Sequence, residues 1–227
     1  KVVYLERTPN ISSTFLRKKQ FKIVRIGIVG TGRIAPRFIS ESKYVSGLTI
    51  ECAYNPVEES AKRFEKREKI KCYTGDYEEF LENVDAVYIA SPNETHFEYA
   101  KKAIEAGKHV LSEKPLSFTK KESEVLYTSA KGKGVVLMEA VKAAYCPGFQ
   151  QLINVAKSGK IGDIVDVEAS FTRLADPLSR ERTDAEYGGA FLEFGPSVLV
   201  PVIKLMGKDY TSVTFDSIYD GNGVDLY

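Results

Sequence analysis

From Phe21 onward, short apolar, β-branched runs alternate with longer stretches in which apolar residues recur at helical spacing. The runs at residues 23–29, 48–54, 70–73, 85–90, 109–112 and 135–138 predict strands. Between them, residues 34–44, 58–69, 76–81, 94–106 and 122–133 predict helices, with Ala61 and Phe64 turned inward and Gly107 and Gly134 as terminators. Regular strand–helix alternation of this kind builds a doubly wound parallel α/β sheet, and ligands bind at the C-terminal ends of its strands. Beyond residue 140 the pattern changes. A helix at 149–157, a turn at 159–162, an alternating strand at 164–171, a helix at 193–206 interrupted by Pro196 and Pro201, and strands at 211–217 and 224–227 predict a second α/β domain with an open, mainly antiparallel sheet. The expected boundaries are a tail or linker at 1–20, a first domain at 21–140 and a second at 141–227.

Charge and composition narrow the partners. The 227 residues carry 32 Lys and Arg against 31 Asp and Glu, a formal net charge of +1, so neither nucleic acid nor a membrane surface has electrostatic support. No apolar run approaches the roughly 20 residues of a membrane span and no signal peptide is legible, so a cytoplasmic location is expected. Cys52, Cys72 and Cys146 are odd in number and include no Cys-x-x-Cys pair; they read as small buried hydrophobes rather than a disulfide framework or zinc site. Two histidines, His96 and His109, leave little room for a metal cluster. The expected ligand is a small molecule, and no metal is expected.

The stretch from Lys22 to Pro36 supplies candidate chemistry. An apolar strand stops at Gly30-Thr31-Gly32 and passes through Arg33 and Ile34 into a helix with Ala35 at the third small position. Gly30 permits the turn, Gly32 permits close approach of backbone to a pyrophosphate, and the helix N-terminus presents unpaired amides to it. This points to a dinucleotide. At the end of the second strand, where an acid would bind a ribose or an arginine a 2′-phosphate, stand Tyr54 and Asn55. Both NAD and NADP therefore remain candidates.

Further along come Ser91-Pro92-Asn93-Glu94-Thr95-His96, then Ala106-Gly107-Lys108-His109-Val110-Leu111-Ser112-Glu113-Lys114-Pro115, Met138-Glu139-Ala140 and Gly188-Gly189-Ala190. Together with the glycine turn these resemble the Gfo/Idh/MocA family of nicotinamide-dependent oxidoreductases over about residues 22–207. The resemblance implies a Rossmann domain, NAD or NADP as cofactor, and oxidoreduction of a hydroxyl or carbonyl on a sugar, polyol or similar molecule. It makes Lys114 the active-site lysine, with Glu113, Ser91, Pro92 and Asn93 lining the cofactor and His96 packing on the cofactor side. An ammonium beside the reacting oxygen stabilises a developing alkoxide and can pass a proton. It also implies a C-terminal sheet that mediates homo-oligomers, within which this chain ends.

One departure bears on mechanism. Where the family continues Asp-x-Gly-x-His or Asp-x-Gly-x-Tyr, this chain has Glu193, Gly195 and Ser197. Glu193 keeps the carboxylate, but a serine hydroxyl is a poor general acid. Either Lys114 does the proton work, with Tyr187 or Tyr145 assisting, or catalysis has been lost and the protein is a dinucleotide-binding sensor or structural partner. Arg173, Asp176, Arg180, Glu181 and Arg182 form a charged loop, readable as a phosphate site or as a solvated surface.

At the N-terminus, Arg7, Thr8, Ile11, Ser12, Ser13 and Thr14 resemble the closing motif of glycerol-3-phosphate-type cytidylyltransferases, with Asn10 in place of the usual glycine. That resemblance implies a fusion whose parent reduces a small ketose and activates the polyol as a CDP derivative. The alternative is an N-terminal arm with a helix cap at Ser12 or Ser13.

Overall fold

A computed structural model describes residues 23–227; the Arg7–Thr14 segment lies outside the described residues. Six strands form one sheet: β1 Val24–Val29, β2 Leu48–Tyr54, β3 Cys72–Thr74, β4 Ala86–Ile89, β5 His109–Ser112 and β6 Leu137–Glu139, in the order β3-β2-β1-β4-β5-β6. That order is the one a doubly wound dinucleotide-binding sheet has. The chain divides into two compact units, up to residue 86 and from residue 87.

In the first unit, β1 pairs in parallel with β2, and β2 with β3. Helices α1 Ile34–Ser42, α2 Glu58–Glu68 and α3 Tyr77–Glu82 connect them. Ile28, Val29, Ala53 and Phe80 are fully buried, as the apolar runs require. Gly27 has a packing reason: a Cβ there would overlap the Phe80 ring and Val84. Arg25 donates to both carboxylate oxygens of Asp85, through Nε at 3.2 Å and Nη2 at 3.1 Å. Helix α3 is capped by Asp76, whose side chain accepts from Glu79 N.

The cysteines depart from expectation. Cys52 and Cys72 are register partners on β2 and β3 with Cα atoms 4.6 Å apart, and they form a disulfide. Sequence spacing carried no sign of it, because strand register, not separation along the chain, brings the two together. Cys146 is free and exposed.

In the second unit, β5 and β6 pair in parallel and α4 His96–Glu105 and α5 Lys120–Lys133 flank them. Thr119 and Glu122 close a capping box at the start of α5, and Gly134 ends it in the left-handed region at φ 66°. Then follow α6 Pro147–Lys157, α7 Arg180–Thr183 and α8 Ala190–Met206. Pro196 and Pro201 lie inside α8, where each withholds one helical N–H.

Residues 162–176 and 212–218 carry no regular structure, so the strands expected at 164–171 and 211–217 do not form. Among the described residues after 140, the β pairing is an isolated antiparallel bridge between Tyr219 and Asp225. Alternation specifies which face of a strand is apolar; a ladder also needs a neighbour, and these segments find none here.

Candidate functional site

The glycine turn follows β1 directly and is held by backbone and side-chain hydrogen bonds. β1 ends at Val29; Gly30 follows it in the left-handed region at φ 93°, and Gly30 N donates to Tyr54 O at 2.9 Å. Asn55 Nδ2 donates to Thr31 Oγ1 at 2.8 Å while Asn55 Oδ1 accepts from Val57 N at 2.9 Å, so Asn55 holds the turn rather than standing apart from it. No side chain caps α1 and its first turn holds no acid, which leaves the positive end of the helix to a ligand. Nothing lies within 4 Å of where a Gly32 Cβ would sit, and Arg33 and Ile34 are exposed beside it. These residues fit a dinucleotide pyrophosphate. Tyr54 ends β2 as expected; its ring is buried against Tyr77 and Phe80, 4.9 Å and 5.7 Å away by ring centroid, and its carbonyl is what meets the turn.

In the second unit the chemistry-bearing residues follow β4 and β5. Lys114, just past β5, has its Nζ 2.6 Å from the backbone carbonyl of Glu193 and 3.0 Å from Glu193 Oε2. Both side chains are about four-fifths buried, at 19% and 21% exposure. The lysine and the carboxylate singled out 79 positions apart are thus brought together. Glu113 does not pair with Lys114; it accepts from Tyr88 Oη at 2.5 Å, while Glu113 N donates to Ile89 O at 2.8 Å.

Past β4, Thr95 Oγ1 reaches Ser91 Oγ and Pro92 O, both at 2.7 Å, which folds Ser91-Pro92-Asn93 into a tight turn. Asn93 Nδ2 donates to Tyr187 O at 3.4 Å. His96 is wholly buried, with Nδ1 2.8 Å from Pro115 O and Nε2 2.9 Å from Ser91 O. Its ring therefore spans two backbone carbonyls and presents no edge to a ligand.

Tyr187 packs on Phe118 at 5.3 Å between ring centroids. A hydrogen bond to the Glu186 side chain, helped by that carboxylate's charge, raises the Tyr187 hydroxyl above its ordinary value. A phenol held in this way gives up its proton less readily. Tyr145 is half-exposed in a 3-10 turn at Lys142–Tyr145.

Two arginines of the charged loop are ion-paired, one of them with a carboxylate outside the loop. Arg180 Nη2 lies 2.8 Å from Glu94 and 2.9 Å from Asp184, and Arg173 Nη2 lies 3.2 Å from Glu181. Asp184 in turn accepts from Tyr187 N at 2.9 Å and Glu186 N at 3.0 Å. Its Oδ1 thus pins the backbone leading to Gly188 and Gly189, a role with no local sequence signature.

Helix α8, which carries Glu193, starts in an unusual way. Its N-cap Gly189 has φ 92° and no side-chain cap. Asp225 supplies the missing acceptor from 34 residues away: Phe191 N donates to Asp225 Oδ2 at 2.7 Å and Ala190 N to Asp225 O at 2.9 Å. A Cβ on Gly189 would collide with that carboxylate. Among the described residues no cluster of His, Cys, Asp and Glu could hold a metal, and no helix is long and apolar enough to cross a membrane.

Comparison with known proteins agrees with this geometry. Residues 24–141 match the Gfo/Idh/MocA family, described as an oxidoreductase family with an NAD-binding Rossmann fold. The chain is 31% identical over 215 residues to a scyllo-inositol 2-dehydrogenase (NADP(+)) of Bacillus subtilis, covering 88% of this chain and 65% of that one. It is 34% identical over 191 residues to a dTDP-3,4-didehydro-2,6-dideoxy-alpha-D-glucose 3-reductase of Actinomadura kijaniata, covering 82% and 57%. The crystal structure of a 3-ketoreductase from Actinomadura kijaniata in complex with NADP and TDP-benzene superposes with a TM-score of 0.73 at 31% identity, over 81% of this chain and 57% of that one. The chain therefore spans between half and two thirds of the length of these relatives. The family match over half the sequence shows that the chain belongs to the Gfo/Idh/MocA oxidoreductase family.

Proposed function

We propose that the protein is an NAD(P)-dependent oxidoreductase acting on a hydroxyl or carbonyl of a sugar, polyol or similar small molecule. The observation that carries this reading is the Lys114–Glu193 pair, an ammonium held by a carboxylate just beyond a strand end of a dinucleotide-binding sheet. The amides around Gly30, Thr31 and Gly32 and the start of α1 would hold the pyrophosphate. When bound, the nicotinamide supplies or accepts the hydride. In the reducing direction, Lys114 Nζ donates a hydrogen bond to the carbonyl oxygen, stabilises the negative charge that develops there and passes it a proton. Glu193 orients the ammonium throughout and balances its charge. Relatives that act on inositols and on nucleotide-linked ketosugars favour a polyhydroxylated substrate.

The same reading sets the Rossmann domain at 21–140 and a substrate domain at 141–227, with a homo-oligomer through that C-terminal domain and a cytoplasmic location. The Arg7–Thr14 resemblance extends it to a parent that makes a CDP-activated polyol; CTP consumption by the full protein tests that extension on its own.

A second reading has two observations behind it. Ser197 stands where a proton donor is usual, and the Tyr187 hydroxyl is tied to Glu186. On that reading the protein binds dinucleotide without turnover. Titration with NADH and NADPH, followed by a screen of ketoses and polyols, separates the two. Saturable binding with turnover that Lys114→Ala abolishes supports the oxidoreductase; binding without turnover of any substrate supports the sensor.

A further inference from the structure

His96 sits in a polar arrangement that a neutral imidazole does not satisfy. Both ring nitrogens face backbone carbonyl oxygens, at 2.8 Å and 2.9 Å, and the residue has no exposure to water. A carbonyl oxygen only accepts, so both hydrogen bonds form only when both nitrogens carry a proton. The neutral ring would leave one nitrogen lone pair against one carbonyl lone pair inside the protein, an unmet acceptor pair at close range.

A buried positive ring needs a compensating charge, and the chain supplies one across a single peptide group. Pro115 O accepts from His96; the amide of the same peptide group, Leu116 N, donates to Glu139 Oε1 at 2.9 Å. The Pro115–Leu116 peptide is thus polarised from both ends, its oxygen by a cation and its N–H by a carboxylate. Bonds assisted by charge in this way are about twice as strong as neutral ones and reinforce each other in series. Tyr127, on α5, also senses the carboxylate: burial first, and the Glu139 charge second, hold its hydroxyl above the ordinary value. The other end of the ring fixes Ser91 O, at the exit of β4.

We infer that His96 is a positioning residue, a buried imidazolium strut that works with Glu139 through the Pro115–Leu116 peptide to fix the backbone carrying Lys114. This deepens the proposed function and rests on it for the role of Lys114. The strut clamps the chain on the C-terminal side of Lys114 and ties it to the end of the neighbouring β4. A displacement of about 1 Å in a reacting group costs on the order of 10²-fold in rate.

The other histidine is an internal control. His109 Nδ1 accepts from Val136 N at 2.9 Å, so its hydrogen bond requires a neutral ring protonated at Nε2. Imidazole 15N spectra of the full chain at neutral pH should show two protonated nitrogens for one histidine and a single tautomer for the other. His96→Ala should lower kcat by about 10²-fold while changing the dissociation constant for the nicotinamide cofactor by less than about threefold. Glu139→Gln keeps an acceptor for Leu116 N but removes the charge, and should convert the buried ring to a single tautomer. A single tautomer for both histidines in the unsubstituted protein, a doubly protonated ring that persists in Glu139→Gln, or a His96→Ala kcat within about twofold of the parent would each overturn the inference. If the unsubstituted protein turns over no ketose or polyol, the functional reading fails alone, and the ring spectrum still decides whether His96 is the charged strut.

Discussion

Lys114 holds Glu193 by two of its atoms, the backbone carbonyl at 2.6 Å and carboxylate oxygen Oε2 at 3.0 Å. The carbonyl contact would survive loss of the carboxylate; the charge balance would not. Glu193→Gln is therefore expected to lower kcat by roughly 10–100-fold with little change in cofactor affinity, whereas Lys114→Ala should cost about 10²–10⁴-fold. Steady-state kinetics beside a binding titration check both. Equal losses in cofactor binding would place the pair outside the chemistry.

Gly32 separates folding from binding. Its Cβ position is open and its backbone is not left-handed, so Gly32→Ala should leave the melting temperature unchanged. The same methyl stands where a pyrophosphate would approach, and dinucleotide affinity should fall at least about tenfold, read by direct excitation of the reduced nicotinamide. Gly32→Asp, which adds a negative charge, should abolish binding.

The pairing of Cys52 with Cys72 changes the thiol count. Under denaturing, non-reducing conditions the chain should titrate as one thiol, Cys146, and as three after reduction. The closed loop spans 20 residues, so reduction should lower stability by about 2–4 kcal/mol, measured by denaturant unfolding with and without reductant. Three thiols before reduction would remove the bridge.

Asp184 predicts an acid limb. Hydrogen bonds from Tyr187 N first, and from Arg180 second, hold its carboxyl below the ordinary carboxylate value. A folded value below the unfolded one contributes stability at pH above about 4 that is lost as pH falls through the folded value. Asp184→Asn should therefore lower the melting temperature at neutral pH and make it less sensitive to acid below about pH 4. An unchanged acid limb would show that the loop from Arg180 to Gly189 is held by other contacts.

Asp225 is the acceptor at the head of α8, and Asp225→Ala should cost about 0.5–2 kcal/mol, the range for losing a helix cap. Gly189→Ala should cost more, because it meets both the left-handed backbone and the Asp225 carboxylate. Thermal unfolding of the two variants measures the difference.

Most of the first 140 residues were legible because each element carries its own signal. The run Ile26 to Val29 before Gly30 states a strand and a turn locally, and Thr119 with Glu122 states a helix start. The Lys114–Glu193 pair was legible as two motif positions, though not as a contact. Long-range partners with no local signature were not legible: Cys72 beside Cys52, Glu139 on Leu116 N, Asp225 at Phe191. The burial of the Tyr54 ring was not legible for a related reason, since a strand end shows which backbone is near the glycine turn but not which way the last side chain turns. The alternating segments 164–171 and 211–217 show the limit from the other side, a pattern fit for strands where no neighbour pairs with them.

The reach of Asp225 to Phe191 also sets an order of events during synthesis. The nascent chain emerges N-terminus first, and the helix bearing Glu193 leaves the ribosome 34 residues ahead of the carboxylate that caps it. At about 5–20 residues per second, that helix waits several seconds without its cap, while the glycine turn and the Lys114 strand are already made. The first turn of the helix that carries Glu193 is thus capped only after nearly all of the described chain has been translated, and a truncation just before Asp225 should yield a folded sheet with an unprotected Phe191 amide, read by hydrogen exchange.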